Sequence, residues 1–474
     1  MMKNIILQFI LAVILLAVSG CSDYLEKSPE LQLTEDDIYS DSTRIEGAVL
    51  GIYTSFKSSI SGCIGIGSKA YVSIENIGVD VVNVSGNGYE CLYPYEMSVG
   101  QDTQDNYQTW INTYGTINNA NTLLVNLETY RDVAGNKYDQ YVAEAKFCRG
   151  LAYYYLNFLY GRPYQESPNA LSVPLRLQVE NNTGNQDCAR STVSKVLKQV
   201  LDDTDDYLNL PSAPGTYNGI TRASQGAALM LRMRVYMEMG DYDNAIKCGE
   251  AVEKLGYQLC PDIKDAFASN ASCLENIFSF PMSSTNNGGG EQYSVPYFYY
   301  SGTSVNVDAE SGIHSPLHPN YNLVADARVS EMESGPSTRR ILLKFTDGSN
   351  YSDWTPIFRY AETLMDLAEC YYHTGEEDKA RDCLAQVRHR SLPASKDPLN
   401  IASLTGTDLL SAIELEKRSE FIGEAISPID FHRRQETYVK REGTAYEFSV
   451  SPQTNGYVWP IPTRERANNH LIKD

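Results

Sequence analysis

Two stretches of this sequence concentrate side chains suited to holding a polar, ring-shaped ligand. Asn87, Tyr89, Tyr93 and Tyr95 lie in one glycine-rich segment, and Tyr293, Tyr297, Phe298, Tyr299 and Tyr300 lie in another; both are interleaved with Asn, Ser and Asp. A flat aromatic face can stack on the apolar face of a sugar, while neighbouring amides and carboxylates exchange hydrogen bonds with its hydroxyls. The plain alternative is that these tyrosines only pack loops onto the rest of the protein. The composition gives the clusters weight, because Tyr 34 stands beside Trp 3 and Phe 13.

Catalytic patterns are absent from the sequence. There is no HExxH, GxSxG, Walker or complete GxGxxG motif, and Gly65-Ile66-Gly67 is a bare GxG. His314 and His318 have the four-residue spacing of a helical metal pair, but Pro316 and Pro319 forbid that helix, so they read as loop residues. Acidic pairs such as Glu376 and Glu377 read as a solvated helix face. No metal or cofactor is expected. The expectation is a binding protein rather than an enzyme, with a glycoside hydrolase as the enzymatic alternative.

The first 20 residues read as a signal segment. Lys3 is followed by an apolar run, Ile5 to Val18, interrupted only by Gln8. Such a run spans about 21 Å as a helix, short of a hydrocarbon core of about 30 Å. It ends in Val18-Ser19-Gly20-Cys21, small residues before a cysteine, which resembles a lipoprotein processing site. Lipidation at Cys21 would hang the chain from a membrane by acyl groups. The net charge of -21 disfavours nucleic acid as a partner. Nine further cysteines cannot all pair, and none forms a CxxC. They read as small buried hydrophobes, with Cys370 and Cys383 the first pair to check for a disulfide.

The elements that must position the tyrosines are helical. Periodicity runs from Asp36 to Phe56, the stretch from Ser58 to Gln108 reads as turn-rich and largely non-helical, and Trp110 to Glu128 and Asp139 to Tyr160 read as long helices. An internal repeat follows: Tyr236, Gly240, Ala245 and Tyr371, Gly375, Ala380 share the same offsets. This is the tetratricopeptide pattern of helix, glycine turn and second helix with a small contact residue. The fold class is therefore mainly α, a helical-hairpin solenoid with large irregular loop insertions, the largest from Pro261 to Pro356. We divide the chain into residues 1–20, an N-terminal region 21–220, a central hairpin 221–260, and 261–474, all but the first forming one body.

Taken in order, the motifs resemble the SusD/RagB family of outer-membrane nutrient-binding lipoproteins. The likeness begins at Cys21, Asp23, Leu25 and Pro29 and continues through Trp110, Tyr114, Ile117 and Asn121, then Tyr160, Gly161, Pro163 and Pro174. It resumes at Asp326 and Arg328, at Arg359, Ala361, Glu362, Leu364, Ala368 and Glu369, and at Val387 and Arg388. It closes with Glu416, Arg418, Glu420, Glu424, Asp430 and Arg433, then Pro460, Ile461, Pro462, Glu465 and Asn468. Where the family has Gly-x-Arg after the glutamate, this chain has Ala425, Ile426 and Ser427, so the network around Glu424 and Asp430 must be wired differently. The resemblance implies a surface-exposed, lipid-anchored protein of the outer membrane. Such a protein would cap a SusC-like TonB-dependent transporter and capture an oligosaccharide, or alternatively a peptide or other nutrient, in loops that map onto the two tyrosine clusters. A scaffold for a protein partner without a small-molecule site is a third reading. Trp110 matches a scaffold position and is expected in the core.

Overall fold

The computed structural model describes residues 34–57, 64–181, 187–267, 273–315, 325–335 and 340–472. Cys21 and the signal segment, Cys63 and His318 lie outside them. Helix α1 (Ser42–Ser55) leads to α2 (Lys69–Ile77) and then to two long helices, α3 (Gln104–Thr129) and α4 (Tyr138–Tyr160). Next come α5 (Val193–Asp203), the hairpin α6 (Gln225–Met239) and α7 (Tyr242–Lys254), and the hairpin α8 (Tyr360–His373) and α9 (Glu377–Ser391). The series ends with α10 (Gly406–Glu420), α11 (Ser427–Arg433) and α12 (Thr463–Asn468). The fold is mainly helical, and successive helices pack side by side: α3 on α4, α4 on α5, α6 on α7, α7 on α8, α8 on α9 and α10.

The repeated Tyr–Gly–Ala offsets are explained by the two hairpin turns. Gly240 and Gly375 adopt positive φ, +73° and +82°, a conformation that costs other residues a Cβ clash. In each turn the N–H after the glycine donates to the tyrosine carbonyl: Asp241 to Tyr236 at 2.8 Å, and Glu376 to Tyr371 at 2.7 Å. Ala245 and Ala380, fully buried, then let the second helix approach. Ser224 caps α6, its hydroxyl accepting the Ala227 N–H at 3.1 Å, and the Asp241 carboxylate caps α7.

The stretch from Ser58 to Gln108 departs from its turn-rich reading. All nine residues of α2 are buried, and although Lys69, Ser73 and Asn76 fall on one side at helical spacing, the helix is only nine residues long and lies among glycines that read as turns. Its two charges are satisfied inside. Lys69 pairs with Asp105 at 3.0 Å, and the Glu75 carboxylate accepts the N–H groups of Gly423 and Ala425 at 2.9 and 2.8 Å.

The insertion between the hairpins contributes short antiparallel pairs. Strand β1 (Val81–Asn83) is joined by β3 (Val305–Val307), Val81 opposite Val307, and β2 (Asn276–Phe280) by β4 (Thr355–Arg359), Phe280 opposite Thr355. The first pair ties the two tyrosine-rich stretches together.

Beneath these layers lies a buried ionic network. Arg359 reaches Glu424 at 2.7 Å, Glu420 at 3.1 Å, and Glu275; Lys344 also meets Glu424, at 2.6 Å. Lys417 lies 2.8 Å from Asp430, which Arg433 also contacts at 2.8 Å. Glu424 and Asp430 thus draw their cations from β4, α10, α11 and the insertion. Ala425, standing where the pattern has glycine, has φ +58° and gives its N–H to Glu75. Cys370 and Cys383 are both free and buried, so the first disulfide candidate does not form.

Candidate functional site

An open cleft of about 980 Å³ lies where the first tyrosine segment meets the start of α3 and the N-terminus of α12. Its wall is a tight turn. Asn87 caps a single 3-10 turn, Gly88–Glu90, by accepting the Tyr89 N–H at 3.0 Å. Cys91 then takes φ +64°, and a short helical turn, Leu92–Tyr95, follows. A Cβ at position 88 would meet the Tyr93 ring at 2.6 Å, so a larger residue there would displace that ring. The turn thereby holds Tyr89 and Tyr93 outward, 65% and 40% exposed.

The opposite side comes from α3 and α12. Tyr107 lies in the first turns of α3, and the Arg464 guanidinium lies over its ring, 4.1 Å from the centroid, while also donating to its hydroxyl. Gln104 and Gln108, four residues apart on one helix face, both line the cleft. Their Oε1 atoms are shielded from solvent and accept no hydrogen bond among the described residues. Gln101 and Asp102 complete the rim. Burial pulls the Lys69 ammonium down, but Asp105 beside it outweighs this and holds the lysine above its ordinary value under the cleft floor. The result is an aromatic and amide surface with one exposed arginine and one exposed aspartate.

The remaining tyrosines divide sharply. Tyr95 is buried at 8% exposure, packed edge-on against Phe448 with the Lys440 ammonium 4.3 Å from its ring centre. Tyr299 is 0% exposed and stacks on Phe345. Neither offers a face to a ligand, which corrects the expectation for both. Their neighbourhoods explain why. Residues 295–300 form one short helix, and Val295, Phe298 and Tyr299 share its inward side. Tyr300, at the end of that helix, is exposed but rests on Gly348. Tyr297 is half-buried against Phe298 and Tyr351, and its hydroxyl lies 3.4 Å from Glu90. Tyr293 is half-buried and packs against the core. The second cluster therefore buttresses the wall of the cleft through Glu90, which Ser304 also contacts, rather than lining it.

Tyr107, Gln104, Gln108 and Arg464 were not singled out by the sequence. Tyr107 stood in the same tyrosine-rich stretch, and Arg464 lies between Pro462 and Glu465 of the closing motif; nothing in the spacing joins them. The closure is tertiary: Asn106 donates to the Pro460 carbonyl at 2.8 Å, and the Trp110 indole to Glu465 at 3.3 Å. Trp110 itself is buried, as expected. His314 is also buried, hydrogen-bonded to Glu333 and Ser419, and no group of metal-ligating side chains occurs among the described residues.

Comparison with known proteins agrees with this architecture. A family model described as starch-binding, associating with outer membrane, matches residues 23–237, and the SusD family model matches residues 319–474. A SusD superfamily protein from Bacteroides fragilis, solved by crystallography, is 44% identical and superposes with a TM-score of 0.88 over 92% of this chain and 100% of that one. The chain belongs to the SusD family. A SusD-like carbohydrate binding protein from Bacteroides vulgatus, 19% identical, shares the fold with a TM-score of 0.75 over 91% of this chain and 97% of that one. SusD-like protein P25 of Formosa agariphila is 26% identical over 262 residues, 53% of this chain and 46% of that protein. The chain thus spans about half the length of the curated relatives it matches. No helix among the described residues is long and apolar enough to cross a membrane.

Proposed function

We propose that this protein binds an oligosaccharide in the cleft bounded by Tyr89, Tyr93, Tyr107 and Arg464, without turning it over. On this reading it is held at the outer membrane by lipid on Cys21 and delivers its ligand to a SusC-like TonB-dependent transporter, which it caps as a lid. The observation that carries the proposal is the outward hold of Tyr89 and Tyr93 at the wall of an open cleft that Gln101, Asp102 and Arg464 also line. Exposed rings beside amide, carboxylate and guanidinium groups suit the apolar face and the hydroxyl rim of a sugar. Membership in a family whose model is described as starch-binding supports the ligand class. A lid joined to its barrel both by lipid and by protein contact gains effective concentration there.

Calorimetry with a panel of oligosaccharides and of mixed peptides separates the ligand classes. Heat with a glycan that disappears in a Tyr89→Ala, Tyr93→Ala double variant is the expected result. Binding of peptides alone would transfer the site to the competing nutrient class, and release of shorter sugars on prolonged incubation would make the protein a hydrolase.

A further inference from the structure

Cys260 and Cys273 bring their sulfur atoms within 2.7 Å of each other. Both are buried, and with Ala266 and the partly buried Phe267 they form a small apolar cluster separate from the main core. The backbone on either side is held by contacts that owe nothing to the thiols. The Gln258 N–H donates to the Leu274 carbonyl at 3.2 Å, and the Cys260 N–H to the Glu275 carboxylate at 2.8 Å. Glu275 is clamped in turn by Arg359 and Arg390 of the buried ionic network. The scaffold alone therefore aligns the two sulfurs.

We infer that Cys260 and Cys273 are an oxidisable pair that closes into an intrachain disulfide, stapling the connection after α7 to the entry of β2. So small an apolar cluster buries little surface, and a covalent link would reinforce the hydrogen bonds that already hold the connection. The pair is also distinguished chemically. Burial pushes the thiols of Cys91 and Cys383 up to about 12 and that of Cys248 up to about 11, whereas the hydrogen bond with Cys260 lowers Cys273 to about 7. A thiolate is thus available at the pair itself, from either of the two sulfurs in contact.

The co-reactant is a disulfide, either a small-molecule one or that of a thiol–disulfide oxidoreductase. One cysteine of the pair, as thiolate, attacks one of its sulfurs, forming a mixed disulfide and expelling the other sulfur as thiolate. The second cysteine then loses its proton and attacks the sulfur of the first, expelling the second thiolate. The chain gives up two electrons and two protons, and the donor disulfide becomes two thiols.

The test starts from the full chain, reduced and freed of reductant, then exposed to oxidised glutathione, alkylated and mapped by mass spectrometry without reduction. The expected result is the loss of two alkylatable thiols and one linked peptide pair joining Cys260 to Cys273, reversed by dithiothreitol. In Cys260→Ser or Cys273→Ser, the remaining cysteine should form no internal link and keep at most a glutathione adduct that nothing resolves. Full alkylation of both cysteines in the folded wild-type chain would overturn the inference, and so would linkage of either one to a different cysteine. The wild-type map decides the matter even if a serine variant folds poorly.

Discussion

The Arg464 guanidinium stacks on the ring of Tyr107, 4.1 Å from its centroid, joining the C-terminal segment to the first turns of α3 across 357 positions of sequence. Arginine over tyrosine keeps a flat, rigid surface at the mouth of the cleft while leaving guanidinium donors available. Tyr107→Ala should weaken glycan binding roughly tenfold, about 1.4 kcal/mol. Arg464→Lys keeps the charge but not the plane, and should fall between wild type and Tyr107→Ala. Both residues lie at the surface, so thermal unfolding should move by no more than a few degrees. Unchanged affinity in both variants, measured by calorimetry, would remove this wall from the site.

The helical back of the molecule was legible because its signals are local. Tyr236 to Gly240 and Tyr371 to Gly375 each encode a helix end through one carbonyl and one left-handed glycine. The site was legible only in part. Tyr89 and Tyr93 follow from type and from a glycine-rich turn, but a tyrosine carries no mark of which way it faces. Tyr299 faces inward because it shares a helix side with Val295 and Phe298, a spacing present in the sequence yet short enough to pass unnoticed beside Pro296. Helix α2 was hidden because it is only nine residues long and flanked by glycines, Gly65, Gly67 and Gly78, that read as turns. Arg464 could not be found at all, because its partner lies at the other end of the chain.

Arg359 offers a direct test of the buried network. Its guanidinium is shared among Glu275, Glu420 and Glu424, and all four residues are buried. Replacing a whole buried ionic group with apolar residues can be neutral, but removing one partner leaves charge uncompensated. Arg359→Met should therefore cost about 3–5 kcal/mol in urea unfolding. Adding Glu424→Gln to that variant should recover part of the loss, since one of the stranded carboxylates is then gone. A single variant as stable as wild type would mean that Arg390 and Lys344 alone neutralise the cluster.

His432 supplies a pH dependence of definite sign. Its ring is buried between Phe158 and Tyr457, and one ring nitrogen lies 3.1 Å from the Gly161 carbonyl. Burial lowers its pKa from the ordinary 6.5 to about 4, with the Gly161 hydrogen bond pulling the other way. The folded state thus keeps the imidazole neutral while the unfolded chain takes up a proton. Stability from this group is present above the unfolded value and is lost as pH falls toward the folded one. Between pH 7 and pH 5 the loss is about 2 kcal/mol. A His432→Gln variant, which keeps a planar amide able to donate to Gly161 but cannot titrate, should lose that increment of slope. Urea unfolding of both proteins at the two pH values reads the difference directly: the wild type should fall relative to the variant on acidification, and parallel behaviour would show that folding leaves the proton affinity of His432 unchanged.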